Sequence, residues 1–185
     1  TNLNNTLTDE QTFGIPGFRR DKIAGLEGHD TILITDGNDT VFGGSGNDTI
    51  TDGRHPLFGS GDDNINGDGG NDTIIAGEGR DTIDGGADFD TVDYSASTAA
   101  VAINLSTFTL PQVGGLAEGD ILRNVEALIG TGFNDLLIGD SAHNKFLGNA
   151  GRDRLLGGGG NDTLDGGAAN DTLSGGENDD RLLGG

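Results

Sequence analysis

The chain has no cysteine, methionine or tryptophan, and its 185 residues include one tyrosine, three prolines and ten basic side chains. Each shortage excludes something. Without cysteine there is no disulfide and no thiolate metal site. Ten Lys and Arg against 31 Asp and Glu give a net charge of −21. A phosphate backbone would be repelled, so no nucleic-acid partner is expected. No apolar run approaches the roughly 20 residues of a membrane-crossing helix, so no transmembrane segment is expected either. One tyrosine, eight phenylalanines and no tryptophan make a poor inventory of rings on which a sugar could stack. What is abundant is glycine, 36 residues, beside a hydrophobic fraction of 32%. Alone, that composition describes a chain that stays unfolded. Something must neutralise the acid and order the glycine.

The glycines recur with a period of nine. Residues 43–51 read GGSGNDTIT, 157–165 read GGGGNDTLD and 25–33 read GLEGHDTIL. Units in this frame start at 16, 25, 34 and 43. After a six-residue insertion, Asp52 to Leu57, they start at 58, 67, 76 and 85. A second array starts at 130, 139, 148, 157, 166 and 175. The sixth position is Asp in every unit except the one carrying Asn144, and the eighth is Ile, Val, Leu or Phe throughout. One apolar residue in nine cannot make an amphipathic helix, and glycine costs a helix interior about 1 kcal/mol each. Six polar and glycine residues followed by a triplet such as Thr49-Ile50-Thr51 predict a turn and a short strand, with the eighth residue inward and its neighbours outward.

Written generally, the unit is G-G-x-G-x-D-x-U-x, with U apolar. It is identified as resembling the RTX, or haemolysin-type, calcium-binding repeat family. The resemblance implies an all-β fold, a right-handed parallel β-roll or β-solenoid, with two short-stranded sheets and calcium-filled turns on both edges. Two units make one coil of about eighteen residues, and coils stack about 4.8 Å apart. Sixth-position aspartates then form columns. Two carboxylates about 5 Å apart repel by roughly 3 kcal/mol at an effective dielectric near 20. A divalent cation between them reverses the sign. Calcium suits the place because it accepts six to eight oxygens, backbone carbonyls included.

In the family, one turn offers the carbonyls of its second and fourth residues plus its Asp. The turn two units later offers its first and third carbonyls plus its Asp. Carried over, Leu26, Gly28 and Asp30 face Gly43, Ser45 and Asp48, while Thr35, Gly37 and Asp39 face Phe58, Ser60 and Asp63. Gly44, Gly46 and Asp48 face Gly67, Gly69 and Asp72 in turn. Gly59, Gly61 and Asp63 meet Ala76, Glu78 and Asp81, and Asp68, Gly70 and Asp72 meet Gly85, Ala87 and Asp90. In the second array Asp135 opposes Gly148, Ala150 and Asp153. Asn149 and Gly151, with Asp153, oppose Gly166, Ala168 and Asp171. Gly157, Gly159 and Asp162 face the turn of Asn144, and Gly158, Gly160 and Asp162 face Gly175, Glu177 and Asp180. Such pairing allows up to about ten Ca2+ ions. The weakest sites are expected at unit 16–24, with Arg19 and Arg20, at the neutral Asn144, and beside the insertion.

The expected organisation is an N-terminal segment with a degenerate capping repeat (1–24), a first array with a bulge at 52–57 (25–93), a spacer that continues the roll (94–129), and a second array (130–185). In the spacer, 101–105 and 125–129 read as strands. Histidines 29, 55 and 143 fall in turns or in the insertion, with no H-E-x-x-H and no G-x-S-x-G, so no catalytic site and no enzyme is expected. The seventh-position threonines reflect strand propensity. The resemblance implies a module secreted from a Gram-negative bacterium, outside the cell or on its surface, that folds on extracellular calcium and stabilises a protein leaving by type I secretion. Ending mid-repeat at Gly185, the sequence is expected to be part of a longer protein. The alternative is an adhesin or polysaccharide-binding module on a secreted enzyme, with extracellular polysaccharide or another domain of the parent protein as partner.

Overall fold

The structure, a computed structural model, describes residues 6–8, 20–35, 37–53, 61–107 and 109–185. It is a parallel β-roll. Among the described residues, nine short strands form one long sheet: Thr6–Thr8, Thr31–Ile34, Thr49–Asp52, Thr73–Ile75, Thr91–Asp93, Ala127–Ile129, Lys145–Leu147, Thr163–Asp165 and Arg181–Leu183. The opposite face is divided in two. An N-terminal short sheet holds Lys22–Ala24, Thr40–Ser45, Asn64–Gly69, Thr82–Asp84 and Ile121–Arg123. A C-terminal short sheet holds Ala102–Asn104, Leu136–Ile138, Arg154–Gly158 and Thr172–Gly176. Every pairing between these strands is parallel.

The register follows from the apolar eighth residue. In the long sheet Ile32, Ile50, Ile74, Val92, Leu128, Phe146 and Leu164 pair in file. Opposite them run Val41, Ile65, Ile83 and Leu122, and then Ile103, Leu137, Leu155 and Leu173. All of these are buried except Leu173, which is partly so. A one-residue slip would turn a whole file out to water, which fixes the register. Thr6–Thr8 adds a strand ahead of the repeats by pairing with Thr31–Leu33.

The spacer is where the second face divides. After Thr91–Asp93 the chain crosses to Ala102–Asn104, which opens the C-terminal short sheet. It then loops through a 3-10 turn at Gly115–Ala117 and returns to Ile121–Arg123, which closes the N-terminal one. The long sheet meanwhile advances by a single step, Thr91–Asp93 pairing directly with Ala127–Ile129. Two strands are thus laid on one face where the other receives one. Tyr94, Val101, Leu105, Ala117 and Val125 fill the interior here.

Turns reach from coil to coil through backbone in the left-handed region. The second residue has φ of 106° at Gly44, 108° at Gly86, 82° at Leu26 and 72° at Asn149. At Gly44 a Cβ would also strike the Leu26 carbonyl of the coil before. Gly44→Ala is expected to cost about 2 kcal/mol or more. Gly132→Ala, in open space with no positive φ, should stay within about 0.5 kcal/mol. Thermal melts with calcium present check the contrast.

Candidate metal centre

Each coil hands its turn to the next through one repeated contact. The Oδ1 of a sixth-position Asp accepts the backbone N–H of the sixth residue one coil earlier. On the edge leading into the long sheet, Asp30 donates to Asp48 (2.8 Å), Asp48 to Asp72 (2.8 Å) and Asp72 to Asp90 (2.8 Å). On the edge leading into the N-terminal short sheet, the N–H of Asp21 reaches Asp39, that of Asp39 reaches Asp63, and that of Asp63 reaches Asp81. In the second array the pairs are Asp135 to Asp153, Asp153 to Asp171, Asn144 to Asp162 and Asp162 to Asp180. The ladder crosses the insertion without losing step: Asp39 to Asp63 measures 2.7 Å and Asp48 to Asp72 2.8 Å, each over 24 residues.

The other carboxylate oxygen has a different fate. Among the described residues, no N–H or hydroxyl donates to the buried Oδ2 of Asp48, Asp72, Asp81, Asp90, Asp153, Asp162 or Asp171. Around it lie more acceptors. A Cβ on Gly43 would strike both Asp48 Oδ2 and the Gly67 carbonyl. The same holds for Gly67 against Asp72 Oδ2 and the Gly85 carbonyl, and for Gly157 against Asp162 Oδ2 and the Gly175 carbonyl. First-position glycine keeps this space clear. Unpartnered carboxylate oxygens beside converging carbonyls are costly without a donor. They are what a hard, oxygen-seeking cation requires.

The carbonyls expected from the second to fourth turn positions also come together. Ser45 N–H donates to Leu26 O and Gly28 N–H to Ser45 O. Ala87 N–H donates to Asp68 O, Gly70 N–H to Ala87 O, Gly46 N–H to Gly69 O, Ala168 N–H to Asn149 O and Glu177 N–H to Gly158 O. Each of these oxygens keeps a second lone pair. The carbonyl of Gly37 lies against Gly61, and that of Gly61 against Gly79. Phe58, Gly59 and Ser60 lie outside the described residues. Two positions differ from the rest. Asp135 is satisfied within the protein, Oδ2 taking the N–H of Thr131, and Oδ1 its hydroxyl and the Val101 N–H. The carboxamide oxygen of Asn144 is taken by the Asp140 N–H.

Two further acidic residues join the ladders, and a third, Asp52, stands beside one of them. Asp120 Oδ1 accepts from Asp81 N–H (2.9 Å) and its Oδ2 from the Tyr94 hydroxyl (2.9 Å). Glu126 accepts from Asp90 N–H (2.9 Å). Their signal in the sequence was the tail alone: Asp120-Ile121-Leu122 and Glu126-Ala127-Leu128 keep D/E-x-U without the glycine head. The third, Asp52, stands where other turns have glycine, and the repeat gives it no signal.

Burial pushes these acids up. Desolvation raises Asp48 and Asp162, and takes Asp63, Asp90, Asp120 and Asp153 up to about 6 and Asp72 up to about 7, against backbone N–H contacts that lower them. Asp52 and Asp81 are raised furthest: Asp52 by burial and by the charges of Asp81 and Asp63, and Asp81 by burial and by the charge of Asp120, while a hydrogen bond with the Asp52 carboxyl lowers it. Because the folded values exceed the unfolded value near 4, protonation favours the ion-free fold. That contribution is full below pH 4 and is lost as pH rises through 6 to 7. A cation must displace those protons. Calcium affinity is therefore expected to fall from pH 7.5 to pH 5.5, with protons released on binding. Calorimetry in two buffers of different ionisation enthalpy measures both, and a pH-independent affinity would contradict the assignment.

A family model described as the RTX calcium-binding nonapeptide repeat matches the chain in four copies, at residues 17–50, 59–92, 129–164 and 156–185, together more than half of its length. No curated protein gives a match.

Proposed function

Since the chain belongs to the RTX calcium-binding repeat family and so binds calcium through its turns, we propose that calcium is also what folds it. The ion ligands on this reading are the turn residues paired above, from Leu26, Gly28, Asp30, Gly43, Ser45 and Asp48 through to Asp162, Gly175, Glu177 and Asp180. One observation carries the proposal: among the described residues, the buried Oδ2 atoms of seven sixth-position aspartates, from Asp48 to Asp171, receive no hydrogen bond from an N–H or hydroxyl. With no ion these oxygens repel along each edge, and the single apolar file per face is a thin core to set against them. The free energy of metal binding then becomes free energy of folding.

The biological reading is a secreted bacterial module without an active site of its own. It would stay unfolded at the low calcium inside a cell and order at the millimolar calcium outside, stabilising its parent protein after export. Calcium-sensor and extracellular sites span that affinity range. Far-ultraviolet circular dichroism tests the folding step. Chelation is expected to abolish the strand signal and calcium to restore it. An unchanged signal in chelator would refute calcium-driven folding.

The polysaccharide-binding alternative has one observation behind it. An open cleft on the long sheet is lined by Thr73, Phe89, Thr91, Ala127, Lys145 and Leu147. The small Ala127 pairs between Thr91 and Lys145, which leaves a dip with an aromatic edge and a cation. A glycan retained on an array with calcium present, and lost in Lys145→Ala, would move this reading to the front.

A further inference from the structure

We propose that Asp52 converts one turn of the roll into a three-carboxylate cation site, with Asp63 and Asp81, that binds more tightly than its neighbours and prefers a trivalent ion to a divalent one. The proposal rests on the calcium reading of the turns and goes beyond it. Neither the repeat pattern nor the family match provides for Asp52, which falls in the gap between matched segments.

Asp52 is the last residue of the strand Thr49–Asp52 and pairs with Ile34. That register places it at the first position of a turn, where Gly43, Gly67 and Gly85 stand on the other edge. On its own edge the same place is held by Ile34 and Ala76, both apolar and buried. A carboxylate has no structural reason to sit between them. It is nonetheless buried, at 5% exposure, with Asp63 at 4% and Asp81 at 1%. One oxygen from each of the three lies within 4.8 Å of the others. Among the described residues no N–H or hydroxyl donates to either Asp52 oxygen or to Oδ2 of Asp81, and the Asp52 and Asp81 carboxyls are close enough to share a hydrogen bond when one is protonated. Gly77 makes the room: a Cβ there would meet Cγ and both oxygens of Asp52.

Charge decides what the site prefers. An ordinary turn pair offers two carboxylates and is neutral with Ca2+. With three, a bound Ca2+ leaves one negative charge and a trivalent cation leaves none. Ligand charge is a principal control on affinity at such sites. The competing explanation is that Asp52 stays protonated and serves only as a buried acid.

The chain carries its own reporter. Tyr94 is the one tyrosine and there is no tryptophan. Its hydroxyl donates to Asp120, which in turn accepts the Asp81 N–H, so the phenol stands beside this site. Terbium(III) is titrated into the calcium-loaded chain with excitation in the tyrosine band. Sensitised emission is expected with the first equivalent of terbium. In Asp52→Gly and Asp52→Asn it should appear only after the other sites exchange, with terbium affinity weaker by about tenfold or more. Asn reproduces the shape of a protonated Asp52, so a wild-type titration in Asp52→Asn overturns the proposal. Emission that grows in proportion to total exchange in the wild type overturns it too. Calorimetry on the same samples separates the two readings: normal calcium binding without early Tyr94 emission defeats only the three-carboxylate site, whereas no calcium binding defeats both. Circular dichroism in calcium confirms that the variants fold, and Asp52→Asn carries the test if the glycine variant does not.

Discussion

The fold depends on carboxylates stacked coil upon coil. Sixth-position aspartates such as Asp48, Asp72 and Asp162 do two jobs with two oxygens. Oδ1 caps the backbone of the coil before, and Oδ2 lies in the turn beside other acceptors. The first job positions neighbouring turns to within a hydrogen bond. The second makes that closeness unfavourable until positive charge enters. Shape and ion demand are consequences of the same side chain, so neither can be removed without the other.

The parts of the structure written once per nine residues were legible beforehand. The apolar eighth position gave the inward files from Ile32 to Leu164, and the sixth gave the acid ladders, including the step from Asp39 to Asp63 across the insertion. The parts written only once were not. Nothing in a period of nine says that the second face divides, because two strands laid on one side leave the count of residues in phase. Asp120 and Glu126 were hidden for want of the glycine head, and the loop that positions Asp120 is fixed by contacts outside the repeat pattern, such as Gln112 N–H to the Asp120 carbonyl. Asp52 was hidden for the opposite reason, lying at a position the repeat gives to glycine.

The two arrays are joined unequally. Hydrogen-bonded strands of the long sheet run through the spacer unbroken, while the acid ladder on that edge passes from Asp90 to Glu126 and then meets the neutral Asn144. Tyr94, Asp120 and Leu122 fill this junction with buried side chains, and the aspartate column stops there. Strand pairing in the long sheet is thus continuous along the same stretch where the opposite face divides and the run of aspartates is interrupted.

Parallel coils stacked in a row also have a mechanical signature. A pull along the stack loads the strand-to-strand hydrogen bonds head-on at the end coil, and not in shear across many at once. The roll then yields from its end, one coil at a time, each step releasing about eighteen residues, or roughly 60 Å of extended chain. Each step would also free the cation held between the departing turn and the next. Refolding against a load would run in the same increments in reverse, each closed by an ion, so calcium supply would set how much slack the chain can take up.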